Sequence, residues 1–238
     1  ASPAAAPACG GFPSLVDAAG QVAATMDAPA ELAEANDAEV TQSLALPAPH
    51  LWQGTADPYL YKLVADLVDG NGAAIDRVVQ CFGIRQMTYD PNEGFFLNGQ
   101  HVRWHGVAVH QDFLGKAWAA SNEDVETSLA LVQEIGANAI RLGHYPFSQY
   151  WLQRISEIGL IAWDEAALGV RTTVKSCVDY DPTQEYVESA KQQLTEMIRQ
   201  HFNYASVALW SIGNETTQGQ RSCGEDKYDN VRPLLRQL

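Results

Sequence analysis

The chain has 238 residues, 46% of them hydrophobic and 18% charged, and its formal net charge is -14. Such a composition is globular and sufficient for one large domain or two small ones, which excludes disorder of the whole chain. The acidic balance repels polyanions and no Lys/Arg cluster interrupts it, so nucleic acid and anionic membranes are excluded as partners and a neutral or cationic small substrate fits better.

In chain order, residues 1–13 form an Ala/Pro-rich stretch that reads as a leader or linker. Residues 14–86 read as short strands between turns: "SLVDAAGQVAATM", "AEVTQSLALP" and "YLYKLVADLVDGNGAAIDRVVQCFGIR". The last is a hairpin signal, because alternating Tyr61, Leu63, Ala65 and Leu67 lead into Asp69-Gly70-Asn71-Gly72 before a second run from Ile75 to Phe82. The expectation is a small β-sandwich with a low strand count. No apolar stretch anywhere approaches the roughly 20 residues that cross a bilayer.

Over residues 87–238 the pattern changes to strand, helix, strand, helix. Val102 to His110 reads as a buried strand, and Glu123 to Ile135 as a helix introduced by Ser121-Asn122, with Asp124 at capping-box spacing and Gly136 as its stop. Ala139 to Tyr145 is the next strand, Gln149 to Ile158 the next helix, and Leu160 to Ala166 a third strand after Gly159. Thr183 to Arg199 reads as a helix and Ser206 to Gly213 as a fourth strand. Such alternation implies parallel βα units, in an open doubly wound sheet or in part of an eight-stranded barrel.

In both architectures functional groups gather where the parallel strands end. Each strand end here carries polar groups: His110 and Asp112, then Arg141 and His144, then Asp164 and Glu165, then Asn214 and Glu215. His101, His105 and His110 do not make a metal cluster, since His110 has the opposite strand parity from the other two. Cys9, Cys81, Cys177 and Cys223 lie far apart without C-x-x-C spacing and read as free thiols. Of the tryptophans at 52, 104, 118, 151, 163 and 210, most read as core and one or more as a sugar-stacking platform.

The phrases "FFLNGQHVRWHGVAVHQD", "GANAIRLGHYPFSQYWLQRISEIGLIAWDEA" and "VALWSIGNE" resemble glycoside hydrolase family 2, the β-galactosidase and β-glucuronidase family. The stretch "LWQGTADPYLYKLVADLVD" with "FGIR" is similar to the immunoglobulin-like sandwich preceding that family's barrel. The resemblance implies a partial immunoglobulin-like β-sandwich followed by the first half, about four βα units, of a TIM (β/α)8 barrel.

It also implies that Glu215 is the general acid/base of a retaining glycosidase, which needs two carboxyl groups flanking the scissile bond. Asn214 would bond the sugar 2-hydroxyl, and His144, His110 and Asp112 match positions that contact sugar hydroxyls. Arg141 either orients the carboxylates at the substrate or forms a buried ion pair with Asp164 or Glu165. Asp164, Glu165 and Trp210 are expected to support the site, with Trp210 packed behind Glu215. The partner is a β-linked glycoside, closest to a terminal β-galactoside, with β-glucuronide or β-mannoside specificity, or a non-catalytic carbohydrate-binding module, as alternatives.

Two departures qualify the resemblance. Some members hold magnesium through a "NIETH"-like phrase after the third strand, whereas this chain reads "AALGVRT", with Gly169 and Arg171 at those positions, so no magnesium site and no cofactor are expected. The family's nucleophile lies on the seventh strand and is expected beyond Leu238. An isolated chain of this kind is expected to be inactive, and to need the rest of the barrel or self-association to cover its open strand edges.

Overall fold

The computed structural model describes residues 9–25, 30–32, 41–69, 71–167 and 183–214. The chain divides into two compact units, one of Ala1–Trp52 with Tyr59–Arg85 and one of Gln53–Pro58 with Gln86–Leu238.

The first unit is an antiparallel sheet of β1 (Cys9–Val16), β2 (Val22–Thr25), β3 (Ala30–Leu32), β4 (Tyr61–Val68) and β5 (Ala74–Phe82). β1 pairs with β2, β3 and β4, and β5 completes the far edge. This sheet is the described part of the sandwich. β1 starts at Cys9, inside the stretch read from sequence as a leader, and ends at a turn in which the Asp17 carboxylate accepts the amides of Ala19 and Gln21.

The expected hairpin joins β4 to β5. Asp69 accepts the amides of Asn71 and Ala73, each at 2.9 Å, and these bonds hold its carboxyl below the usual range; Gly70 lies outside the described residues. Thr41 to Leu46 forms no strand, contrary to the reading of "AEVTQSLALP", whose Leu46-Pro47 end cannot supply a ladder N–H.

The second unit opens with an antiparallel meander that the sequence reading missed: β6 (Met87–Asp90), β7 (Gly94–Leu97) and β8 (Gln100–His101). Asn98 and Gly99 both have positive φ, 51° and 77°, and connect paired Leu97 and Gln100 as a two-residue hairpin. Phe95 and Leu97 are buried, and the Tyr89 hydroxyl donates to the Ala208 carbonyl at 2.5 Å.

Four parallel strands follow in sequential order: β9 (Gly106–Val109), β10 (Ala139–Leu142), β11 (Ile161–Glu165) and β12 (Val207–Ser211). With α1 (Asn122–Glu134), α2 (Gln149–Glu157) and α3 (Gln184–His201) between them, they form the first half of a (β/α)8 barrel. β9 is shorter than the expected strand from Val102 to His110. The Asn138 side chain takes the His105 amide at 2.7 Å and gives to the Arg103 carbonyl at 2.9 Å, holding that segment outside the ladder. Pairing then begins at Gly106, where any Cβ would sit 2.8 Å from the Ala139 carbonyl oxygen.

The helices form for local reasons. Ser121 and Asp124 make a reciprocal capping box on α1, and Thr183 accepts the Tyr186 amide at the start of α3. Gly159 ends α2 at φ 80°, where a side chain would meet the Gly54 carbonyl at 2.3 Å. Outward strand residues Ile140, Leu142, Ala162 and Val207 bury themselves against Val125, Leu129, Trp151 and Ile155 of α1 and α2. Glu126 of α1 accepts from Tyr150 at 2.8 Å and from Arg154 of α2 at 2.6 Å; Arg154 and then Tyr150 hold its carboxyl below the usual range.

Candidate active site

Strand alternation sorts the residues at the carboxyl ends of β9 to β12. On β11, Trp163 and Glu165 share one face and Asp164 takes the other. Arg141 of β10 pairs in register with Trp163, and its guanidinium lies 5.2 Å from the Trp163 ring centroid. Glu165, fully buried, accepts Arg141 Nε at 3.1 Å and Nη2 at 2.9 Å on Oε2, with Nη2 also 3.0 Å from Oε1. Of the two readings of Arg141, the ion pair with Glu165 is the one observed.

Proton counting fixes the rest of this centre. Arg141 Nη2 carries two protons, one for Glu165 and one for Asn214 Oδ1 at 3.0 Å. None remains for His144 Nδ1, although it is 3.0 Å away. His144 Nδ1 therefore carries a proton and donates it to Glu165 Oε1 at 2.8 Å. By the same logic His110 Nδ1 donates to the Gly143 carbonyl at 2.9 Å. In their neutral forms both rings keep Nε2 as an acceptor, and the rings meet edge to face with centroids 5.0 Å apart.

Four strand-end residues named from sequence, Arg141, His144, Glu165 and Asn214, thus form one network, with His110 against it. A concavity of about 260 Å³ on the same sheet face is lined by Trp104, Gly106, Ala108, Arg141 and Trp163 among others. The Asn214 amide is oriented by Arg141, and no acceptor for its NH2 stands among the described residues. A carboxylate locked by a guanidinium, two acceptor imidazoles and a donor amide suit a polyhydroxylated ligand, which presents donors and acceptors around one ring.

Other expected residues stand apart. Asp112 is exposed and has no side-chain partner among the described residues. Asp164 is not in the network: it faces α3, where His201 Nδ1 lies 2.6 Å from its Oδ2, because its parity is opposite to that of Glu165. Trp210 is half-buried and packs against two hydrophobic clusters of the unit. Glu215, the expected packing of Trp210 behind it, and the Gly169 and Arg171 positions all lie outside the described residues. Among the described residues no three His, Cys, Asp or Glu side chains gather as a metal-holding group.

Sequence reasoning missed Tyr145, whose hydroxyl accepts the Gln111 amide at 3.0 Å and so ties the loop after β9 to the loop after β10. The signal available was its position directly after His144. It also missed His201, which has no local signal at all, since its partner is 37 residues away.

Comparison with known proteins matches this geometry. The TIM barrel domain of glycosyl hydrolases family 2 matches residues 91–233, and a second domain of glycosyl hydrolases family 2 matches residues 14–85. A β-glucuronidase of Bacteroides fragilis is 36% identical over 191 residues, 80% of this chain and 27% of the relative. A β-galactosidase of Bacteroides ovatus is 32% identical over 205 residues, 86% of this chain and 24% of the relative. The apo structure of Bacteroides uniformis β-glucuronidase 3 superposes with a TM-score of 0.75 at 30% identity, covering 95% of this chain and 26% of that one. The chain spans about a quarter of the length of the curated relatives it matches. With the barrel profile covering more than half of its residues, on strands whose carboxyl ends converge on one polar centre, the chain belongs to glycosyl hydrolases family 2.

Proposed function

We propose that the protein carrying this chain is a retaining glycoside hydrolase that cleaves terminal β-galactosides, with Glu215 as general acid/base. The observation that carries the reading is the Arg141–Glu165–His144–Asn214 network, which orients Asn214, the residue directly before Glu215, at the end of β12. An Asn amide held this way donates to the sugar 2-hydroxyl, a bond that strengthens as the ring approaches its oxocarbenium-like transition state. Glu215 protonates the leaving oxygen and then takes a proton from the attacking water.

Glu165 is not the nucleophile, because Arg141 and His144 occupy both of its oxygens in a buried setting. That role goes to a second carboxylate on a later barrel strand, about 5–5.5 Å from Glu215 as retention requires. His144 and His110 bind the glycone, and Arg141 orients it through Glu165 and Asn214. Asp112 is proposed to bind a hydroxyl from the exposed rim, and Asp164 and Trp210 to support the strand ends.

A neutral sugar is favoured by charge. Among the described residues, Arg141 at the end of β10 and Lys116 on the loop after β9 are already paired with Glu165 and Asp124, which leaves neither for a uronic carboxylate. The alternative, a β-glucuronide, is favoured by the β-glucuronidase of Bacteroides fragilis at 36% identity. The test is hydrolysis of 4-nitrophenyl β-D-galactoside and β-D-glucuronide by the full-length gene product. Glu215→Gln should lower kcat by about 10²–10⁴-fold. Unchanged turnover in that variant removes the acid/base assignment, and a preference for the glucuronide reverses the sugar assignment.

A further inference from the structure

The structure sorts the tryptophans that the sequence left mixed. Trp52 and Trp151 are fully buried, whereas Trp118 is 61% exposed on the loop between β9 and α1. Single exposed apolar side chains are common and need no function. Trp118 differs in how it is held and in what lies beside it.

Its ring lies on Tyr145 with centroids 4.4 Å apart. Tyr145 stacks in turn on Phe147 at 5.5 Å, and Phe147, itself buried, packs edge-on against Trp151 at 5.2 Å. Trp118 is thus the solvent-facing end of a ladder of four rings rooted in the half-barrel core. The loop is fixed from two further directions. Phe113 and Ala117 bridge each other, with Ala117 at φ 48°, and Lys116 reaches the Asp124 carboxylate of the α1 cap at 2.8 Å.

The ladder also borders the candidate active site. Tyr145 directly follows His144, and its hydroxyl takes the amide of Gln111, which directly follows His110. The glycone-binding groups proposed above cluster around buried Glu165, and the exposed indole connects to them through Tyr145, the residue after His144. We propose that Trp118 is a stacking platform for the leaving group of the glycoside, taking either a planar aryl aglycone or the apolar C–H face of a second pyranose. This rests on the glycosidase reading of the neighbouring site. A flat aromatic face rewards flat apolar partners, and one already immobilised loses little freedom on binding.

The test uses the full-length gene product labelled with 5-fluorotryptophan, with the Trp118 resonance identified by its loss in Trp118→Phe. The probes are phenyl and methyl 1-thio-β-D-galactosides, the matching β-D-glucuronides, and a thio-linked disaccharide, none of which needs to be turned over. The phenyl ligand should shift the Trp118 resonance where the methyl ligand does not, and a shift with the disaccharide marks the pyranose as the natural occupant. Trp118→Ala should weaken the phenyl ligand about three- to tenfold, leave the methyl ligand unchanged, and be rescued by Trp118→Phe. Equal phenyl affinity in Trp118→Ala, or an unmoved Trp118 resonance while ligand binds, overturns the platform and leaves the glycosidase reading standing. No binding of any of these glycosides overturns both.

Discussion

Asp164 and Glu165 are neighbours on β11, both carboxylates, both fully buried, and they do different work. Asp164 faces α3 and closes on His201, itself 3% exposed, while its Oδ1 accepts the amide of Glu165 at 3.1 Å. Glu165 faces the inner side of the sheet and is held by Arg141 and His144, whose side chains remain 28% and 31% exposed. One pair is sealed on every side, and the other is open through its partners. A single strand therefore carries a tie to its helix and a foundation for a binding site on consecutive residues, with strand alternation keeping them apart.

The comparison predicts that the two pairs fail differently. Arg141→Met should have the largest effect, because it strips the counterion from a buried carboxylate and the orienting donor from Asn214. A loss of about 3–5 kcal/mol is expected from an unpaired buried charge, read as a lower urea midpoint. Glycoside hydrolysis by the molecules still folded should fall about 10²–10³-fold, as when an electrostatic contact at a reacting centre is removed. Retention of activity with lowered stability would make Arg141 a structural residue, and the inner pair would then resemble the outer one.

His201→Ala comes next. It also leaves a buried carboxylate alone, at a comparable stability cost of about 3 kcal/mol. Here, however, KM and the galactoside-to-glucuronide preference should stay within about twofold of the parent, since no group of this pair faces the site. A changed preference would show that the Asp164 bond to the Glu165 amide transmits to the inner face. Asp164→Asn sharpens the point: a neutral amide can still pair with the imidazole, so its cost should be nearer 1 kcal/mol.

How much of this was legible depends on the distance over which each feature is written. The capping box at Ser121 and Asp124 and the stop at Gly159 are local, and the helices formed where those signals stood. Asn98-Gly99 was an equally local hairpin signal, which the sequence reading passed over. The convergence of His110 and His144 was legible in part: Val109 and Leu142 pair in register, which brings the segments after them to one end of the sheet. His144 lies two residues past that pair and His110 one, so register alone does not set them against each other.

The different fates of Asp164 and Glu165 follow from parity, which the sequence states but which a list of strand-end carboxylates conceals. His201 was not legible: its partner is set by how α3 packs on β11, and nothing within a turn of it marks the pairing. The role given to Glu215 rests on family likeness, and the network around Asn214 is what geometry adds to it.

The smallest expected effect tests whether an exposed ion pair steers the loop that carries Trp118. Lys116, and then the backbone and hydroxyl of Ser121, pull the Asp124 carboxyl down to about 2 from an ordinary 3.8. A depressed carboxyl favours the folded loop at pH above its unfolded value and loses that contribution as pH falls through the folded one. The loop should therefore keep its form down to about pH 4 and loosen between there and pH 2. Removing the cation in Lys116→Met leaves only the Ser121 bonds, so the loosening should begin at higher pH. The fluorine resonance of labelled Trp118 reports it directly, as a midpoint that moves upward in the variant. Because surface pairs are screened, the same shift should shrink in 1 M salt. A midpoint indifferent to both Lys116 and salt would mean that the ring ladder through Tyr145 alone holds the platform, and that exposed charge contributes nothing where buried charge decides the fold.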